Sequence, residues 1–219
     1  MEKIWILLLR LEAPIQSYGE RAQWDFRDTA YFPTKSAVIG ILAAAMGLKR
    51  EDAAITSLAN HLEVSVRADR PGEIALDFQT AIGIIQKAEG GQRGKKGEKT
   101  GIIPERQYLE DASFLVAVLG DYDLLCRCRD ALLNPVWAPF LGRKCCVPTR
   151  PILEDLTDAY SSVFEAFSKI PLDSRKEGKG IVQYQIEMRK GNLMRGDAVM
   201  GPRIFDYRSV WQDTMEVCP

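Results

Sequence analysis

Histidine is almost missing from this chain: His61 is the only one in 219 residues. That scarcity removes the commonest general base and the commonest metal ligand together. The five cysteines are an odd number, and Cys126-x-Cys128 and Cys145-Cys146 lack the two-residue gap of a zinc hook or redox pair. They read as reduced thiols of a cytoplasmic protein, with no disulfide framework, no metal site and no cofactor. Net charge is nearly absent as well, since 29 Lys+Arg face 30 Asp+Glu for a formal charge of -1. Such a chain does not grip a polyanion with its whole surface, so any anion site is a local basic patch. Long apolar runs are also lacking. Ala37 to Met46 is half the length of a bilayer span. The start MEKIWILLLRLEAP carries charges on both sides of its apolar core and lacks a small-residue cleavage site, so it reads as a strand with no membrane role. No P-loop, GxGxxG or zincin motif is present.

What is present suits a single α+β domain over residues 1–219, with 46% hydrophobic and 27% charged residues. Lys3 to Leu11 predicts a strand buried on both faces. A helix follows from Lys35, capped by Thr34, and a second helical piece covers Arg50 to Asn60. His61 to Arg70 alternates as strand, and Pro71-Gly72 marks a turn. Ala112 to Leu119 is a buried strand, Tyr122 to Leu133 a helix ended by Asn134-Pro135, and Leu156 to Phe167 a further helix. Ile181 to Arg189 and Arg203 to Trp211 alternate as strands in a C-terminal extension, residues 153–219. Between Glu73 and Asp111 two strands flank a polar tip, with five glycines and five basic residues from Lys87 to Gly101. Treated as an insertion, that hairpin leaves the order strand, helix, strand, strand, helix, strand. This is the ferredoxin-like (RRM-like) arrangement of an antiparallel sheet with two packed helices.

Two readings compete for FPTKSAVIGILAAAMGL, residues 32–48. One is a core helix with an ordinary cap. The other is a phosphate seat, because a helix N-terminus with free N–H groups, the Lys35 ammonium and the Ser36 hydroxyl favours an anion. Catalysis has little material. His61 has no partner, adjacent Glu110-Asp111 point to opposite faces of a strand, and a lysine-rich tip without a fixed partner clamps phosphate better than it cleaves. Binding is better supplied. Arg21 and Arg27 lie near Tyr18 and Trp24, the tip Lys87, Arg93, Lys95, Lys96 and Lys99 near Tyr108, Arg143, Lys144 and Arg150 near Trp137 and Phe140, and Arg189 to Arg208 near Phe205 and Tyr207. Arginine beside exposed rings suits unstacked RNA, while the alternative is core aromatics and scattered surface charge.

Four ordered blocks, WILLLRLEAPIQSYG, FPTKSAVIGILAAAMGL, RQYLEDASFLVAV and NPVWAPFLGRKCCVPTRPI, together resemble the CasD subunits of Cascade. The likeness resumes more weakly at RGDAVMGPRIFDYRSV. Cascade is the type I-E CRISPR surveillance complex, and CasD belongs to the repeat-associated RNA-binding superfamily. The resemblance implies a ferredoxin-like domain with a hairpin thumb at residues 73–111. It implies a non-catalytic subunit that caps the 5′ handle of CRISPR RNA, contacts the backbone and large subunits, and meets target DNA only through the complex. The related type I-C subunit is a metal-independent endoribonuclease of repeat RNA, but a histidine is missing from the thumb here. A third reading is a protein–protein adaptor. Carried onto this sequence, the resemblance points to Gln16, Ser17, Thr34, Lys35, Ser36, Arg106, Tyr108, Arg143, Lys144, Arg203 and Arg208. Tyr18, Arg21 and Arg150 join them as RNA ligands. Lys35 and Ser36 are expected to take a phosphate, Gln16 to Tyr18 to read or stack on bases, and Lys87, Arg93, Lys95, Lys96 and Lys99 to make the thumb contacts.

Overall fold

The computed structural model describes residues 4–21, 26–82, 85–86, 92–93, 101–172 and 180–217. The first strand, β1 (Ile6–Glu12), is buried along its whole length, as a run without polar alternation requires. Two short strands, β2 (Ile15–Gln16) and β3 (Phe26–Arg27), precede the helix α1 (Lys35–Ala45), whose cap Thr34 accepts the Ala37 N–H. Helix α2 (Ala53–His61) is capped by Asp52 and leads into β4 (Glu63–Arg70).

The inserted hairpin then leaves the body through β5 (Glu73–Phe78) and returns through β10 (Glu105–Glu110), paired over six residues. Further out, β6 (Ala81–Ile82) pairs with β9 (Gly101–Ile102) and β7 (Ile85–Gln86) with β8 (Gln92–Arg93). Lys87, Lys95, Lys96 and Lys99 lie outside the described residues, as does Trp24. Arg93 is described only as a position on β8.

The chain continues through β11 (Ser113–Leu119), α3 (Tyr122–Leu133), β12 (Leu153–Thr157), α4 (Val163–Lys169), β13 (Gly180–Glu187), β14 (Leu193–Gly201) and β15 (Ile204–Val217). Seven strands form one sheet in the order β12-β1-β11-β4-β13-β15-β14, and every pairing in it is antiparallel. Strand alternation gives this sheet two apolar faces. Leu7, Leu9, Leu11, Val64, Val66, Phe114, Val116 and Val118 meet α1, α2 and α3 on one side. Ile6, Leu8, Leu115 and Ala117 meet Val163, Ala166 and Phe167 of α4 on the other, with Val182, Tyr184, Met215 and Val217.

Two expectations need correction. The stretch predicted as one helix, 156–167, contains the end of β12 and only the start of α4. A capping box fixes the later start: Ser162 Oγ accepts the Glu165 N–H, and Glu165 Oε2 accepts the Ser161 N–H. The C-terminal extension adds three strands continuous with the main sheet in the order β13-β15-β14, and its edge strand β14 had no counterpart in the sequence reading. Among the described residues no helix is long and apolar enough to cross a membrane.

Candidate nucleic-acid interface

The first turn of α1 is a filled seat. The Lys35 N–H donates to Asp197 Oδ2 at 2.7 Å, and Lys35 Nζ donates to Glu187 Oε1 at 2.7 Å. Arg208 Nε and Nη2 reach Asp197 at 2.6 and 3.1 Å, and Arg208 Nη1 reaches Glu187 at 3.2 Å. Arg195 adds contacts to Glu20 at 2.6 Å and Asp197 at 3.9 Å. Three cations thus balance three carboxylates in a largely buried network. Burial alone would push the Asp197 carboxyl up, but Arg208, Arg195 and the Lys35 N–H outweigh it and hold the group below the usual carboxylate range. The dipole and the ammonium do attract an anion, as the sequence implies, and the anion is the protein's own. Lys35 and Thr34 are thus engaged inside the protein, and half-buried Ser36 has its Oγ 3.1 Å from Thr34 Oγ1. Arg208 is engaged in the same way.

Gln16, Ser17 and Tyr18 are also internal. Gln16 Nε2 donates to the Ala112 carbonyl at 2.7 Å, and Gln16 Oε1 accepts from Tyr18 Oη at 2.5 Å. The Tyr18 ring stands edge-on to Phe114, with centroids 6.2 Å apart. Burial, and then the neighbouring Cys146, pushes its phenol well above the ordinary value. These side chains hold β2 to the body and present no face to a base.

A different group does gather at the base of the thumb. β10 pairs with β5 on one edge, and with β2 and in parallel with β3 on the other, which makes Arg106 and Arg27 direct neighbours. Against them lies the loop 140–146. Its turn is forced by Gly142, at φ +92°, where a Cβ would sit 1.6 Å from the Ser17 carbonyl oxygen. Ser17 N–H bonds Leu141 O, and Leu141 N–H bonds Cys146 O, so the loop is tied at both ends. Arg143 projects from it as a strut. Its guanidinium donates to Gln107 O and Arg27 O, each at 3.2 Å, and lies 4.5 Å above the centre of the Tyr108 ring. Tyr108 itself is buried, with its hydroxyl 3.7 Å from Cys145 Sγ, and is no exposed stacking surface.

Around this strut Arg27 and Lys144 are exposed and Arg106 is half-buried. Arg21 is exposed on the adjoining turn, its N–H held by Asp28 Oδ2 at 2.9 Å. None of the four makes an ion pair with another described residue. Arg150 is exposed and pairs with Glu154 at 2.8 Å, and Arg203 stands at the β14–β15 turn, away from the others in the chain's architecture, with φ +59°. The sequence reading missed Gln107, which accepts the Thr29 N–H through its side chain and the Ser17 hydroxyl and Arg143 through its carbonyl. It also gave Gly142 no role, although a glycine before Arg-Lys in a proline-rich loop is itself a turn signal.

Chemistry beyond binding has few parts here. His61 ends α2 with Nδ1 2.7 Å from the Ser57 carbonyl oxygen. Cys126, Cys128, Cys145 and Cys146 are free thiols, and burial, followed by Cys145, pushes Cys146 up to about 12. No group of His, Cys, Asp and Glu that could hold a metal occurs among the described residues.

Known proteins are similar along almost the whole chain. The family model described as CRISPR-associated protein (Cas_Cas5) matches residues 6–216. The "CRISPR system Cascade subunit CasD" of Escherichia coli (strain K12) is 34% identical over 161 residues, covering 67% of this chain and 68% of that protein. A solved chain from a "CRISPR RNA-guided surveillance complex" superposes with TM-score 0.79 at 31% identity, covering 97% of this chain and 91% of that one. Another, described as "Crystal structure of Cas protein", gives TM-score 0.70 at 31% identity over 95% and 94%. With a family match from the first residue of β1 to the last turn of β15, this chain belongs to the CRISPR-associated Cas5 family.

Proposed function

We propose that this protein is a non-catalytic subunit of a Cascade-type surveillance complex that caps the 5′ handle of CRISPR RNA. The contact surface is the face made by Arg21, Arg27, Arg106 and Lys144 around the Arg143 strut. The observation that carries this reading is the placement of these four cations. They surround the thumb base without a described carboxylate partner, in a chain whose formal charge is only -1. Phosphate contacts supply most of the affinity for single-stranded RNA and need such unneutralised charge. Strands β12-β1-β11-β4 stand in the order fourth, first, third, second, which supports a ferredoxin-like core with the thumb inserted between its second and third strands.

The thumb carries the second half of the proposal. Ile74, Leu76 and Phe78 share one side of β5 and are exposed, which suits the wedge against a backbone subunit that the family resemblance implies. Contact with the large subunit, and through the assembly with target DNA, belongs to the same reading. Turnover does not, because Tyr108 is buried under Arg143 and so is badly placed to deliver or accept a proton.

The test uses the chain assembled with the neighbouring subunits and an RNA bearing the repeat-derived 5′ segment. Replacing Arg27, Arg106 and Lys144 together with alanine is expected to weaken handle retention and flatten its salt dependence. Unchanged affinity and salt slope would reject this face. Metal-independent cleavage of repeat RNA by the purified chain, lost on Tyr108→Phe, would establish the nuclease alternative instead.

A further inference from the structure

Helix α4 covers only part of the sheet face it packs on. It has seven residues, and among the described residues no other helix packs on that face. The alternation of β15 that buries Met215 and Val217 brings Trp211, Tyr207 and Phe205 to that side, all of them exposed, with Tyr207 at 69%. Across the ladder Ile186 pairs with Trp211 and Met194 with Ser209, so Ile186, Met188 and Met194 extend the surface. Where α4 begins, the step between helix and open sheet forms a cleft of about 400 Å³. Its walls are Ile4, Leu119, Phe164, Tyr184, Met188 and Trp211 among others, and Ser162 is the single hydroxyl of a non-aromatic side chain in it. Open apolar sheet of this kind is ordinarily covered by a second layer.

We propose that this half-face docks an amphipathic helix of another protein subunit, apolar side down beside α4, with acidic residues along the edge that meets Arg189 and Lys190. The proposal rests on the reading that the chain works inside a multi-subunit assembly. Charge selects the partner. Arg189 and Lys190 follow Met188 directly, are exposed, and make no ion pair with a described residue. The acid on the cleft side, Asp213, lies opposite Tyr184, at the other end of the cleft from that basic pair. An apolar floor with rings and methionines and a basic rim is the composition of a protein contact. The few polar atoms of the cleft, the Ser162 and Tyr184 hydroxyls and the Trp211 N–H, leave most of a nucleobase's polar edge unmatched.

Hydroxyl-radical footprinting reads this directly, because methionine and tryptophan are oxidised in proportion to their exposure. Met188, Met194 and Trp211 in the assembled complex are expected to react at least about fivefold more slowly than in the free chain. Equal rates would overturn the proposal. So would protection given by handle RNA alone, or by raising the concentration of the free chain, since these outcomes assign the face to RNA or to a second copy. The double substitution Arg189→Glu, Lys190→Glu is expected to weaken assembly about tenfold at low salt with an unchanged melting temperature. Its failure leaves handle retention through Arg27, Arg106 and Lys144 untouched, so the two readings fall separately.

Discussion

Two sets of basic residues look alike in the sequence and behave as opposites in the structure. Lys35, Arg195 and Arg208 are buried against Asp197, Glu187 and Glu20, while Arg21, Arg27, Arg106 and Lys144 stand at the surface without such partners. Both sets sit beside aromatic residues and on conspicuous motifs. What separates them is a carboxylate far along the chain: Glu187 is 152 residues from Lys35. Local sequence reports where a cation is, and only the fold reports whether it is still available.

The comparison breaks most visibly at Asp197. Asp197→Ala leaves Arg208 and the helix N-terminus buried without their anion, and is expected to cost about 3–5 kcal/mol in urea unfolding. The same carboxyl gives the contrast a pH signature. Its folded value is lowered, so its stabilisation is full above the unfolded value, near pH 4, and is lost as pH falls through the folded value. Acid titration of Asp197→Asn should accordingly show a shallower loss of stability below about pH 4 than the parent chain. On the exposed side the critical residue is a glycine. Gly142→Ala forces a Cβ against the Ser17 backbone and is expected to cost about 3 kcal/mol, while also displacing Arg143 from Tyr108.

Smaller effects sharpen the contrast. Alanine at Arg27, Arg106 and Lys144 should each change stability by no more than about 0.5 kcal/mol. Together they should reduce the log–log salt slope of RNA binding by about 2, at ~0.7 per lost phosphate contact on a single strand. Arg150→Ala should do least, with no change in the salt slope and at most about 0.3 kcal/mol in stability, because its pair with Glu154 is solvent-exposed and Arg10 also serves that carboxylate. Thermal melting of the two variants side by side checks the ranking.

Much of the body was legible because its signals are local. The apolar runs of β1 and β11, the Thr34 cap and the Asn134-Pro135 stop each act within a few residues. β14 escaped because its inward side is charged. Arg195 and Asp197 are buried where a strand pattern asks for apolar residues, and a bulge between Arg195 and Ala198 breaks the alternation. The α4 start was misread although its capping box was present. The site was legible in part. Arg106, Arg143 and Lys144 were singled out one by one in the sequence; that they lie together, and that Arg143 is a strut, only the strand pairing and its two carbonyl partners reveal.

The join between β4 and β13 is only three residue pairs long, Ala68 to Gln183, Arg67 to Tyr184 and Val66 to Gln185. Residues up to 157 supply all of β12, β1, β11 and β4, whereas Glu187 and Asp197 lie beyond that join. Without those later strands the first turn of α1 is an open positive socket, the one its sequence describes, and the three C-terminal strands are the stopper that shuts it.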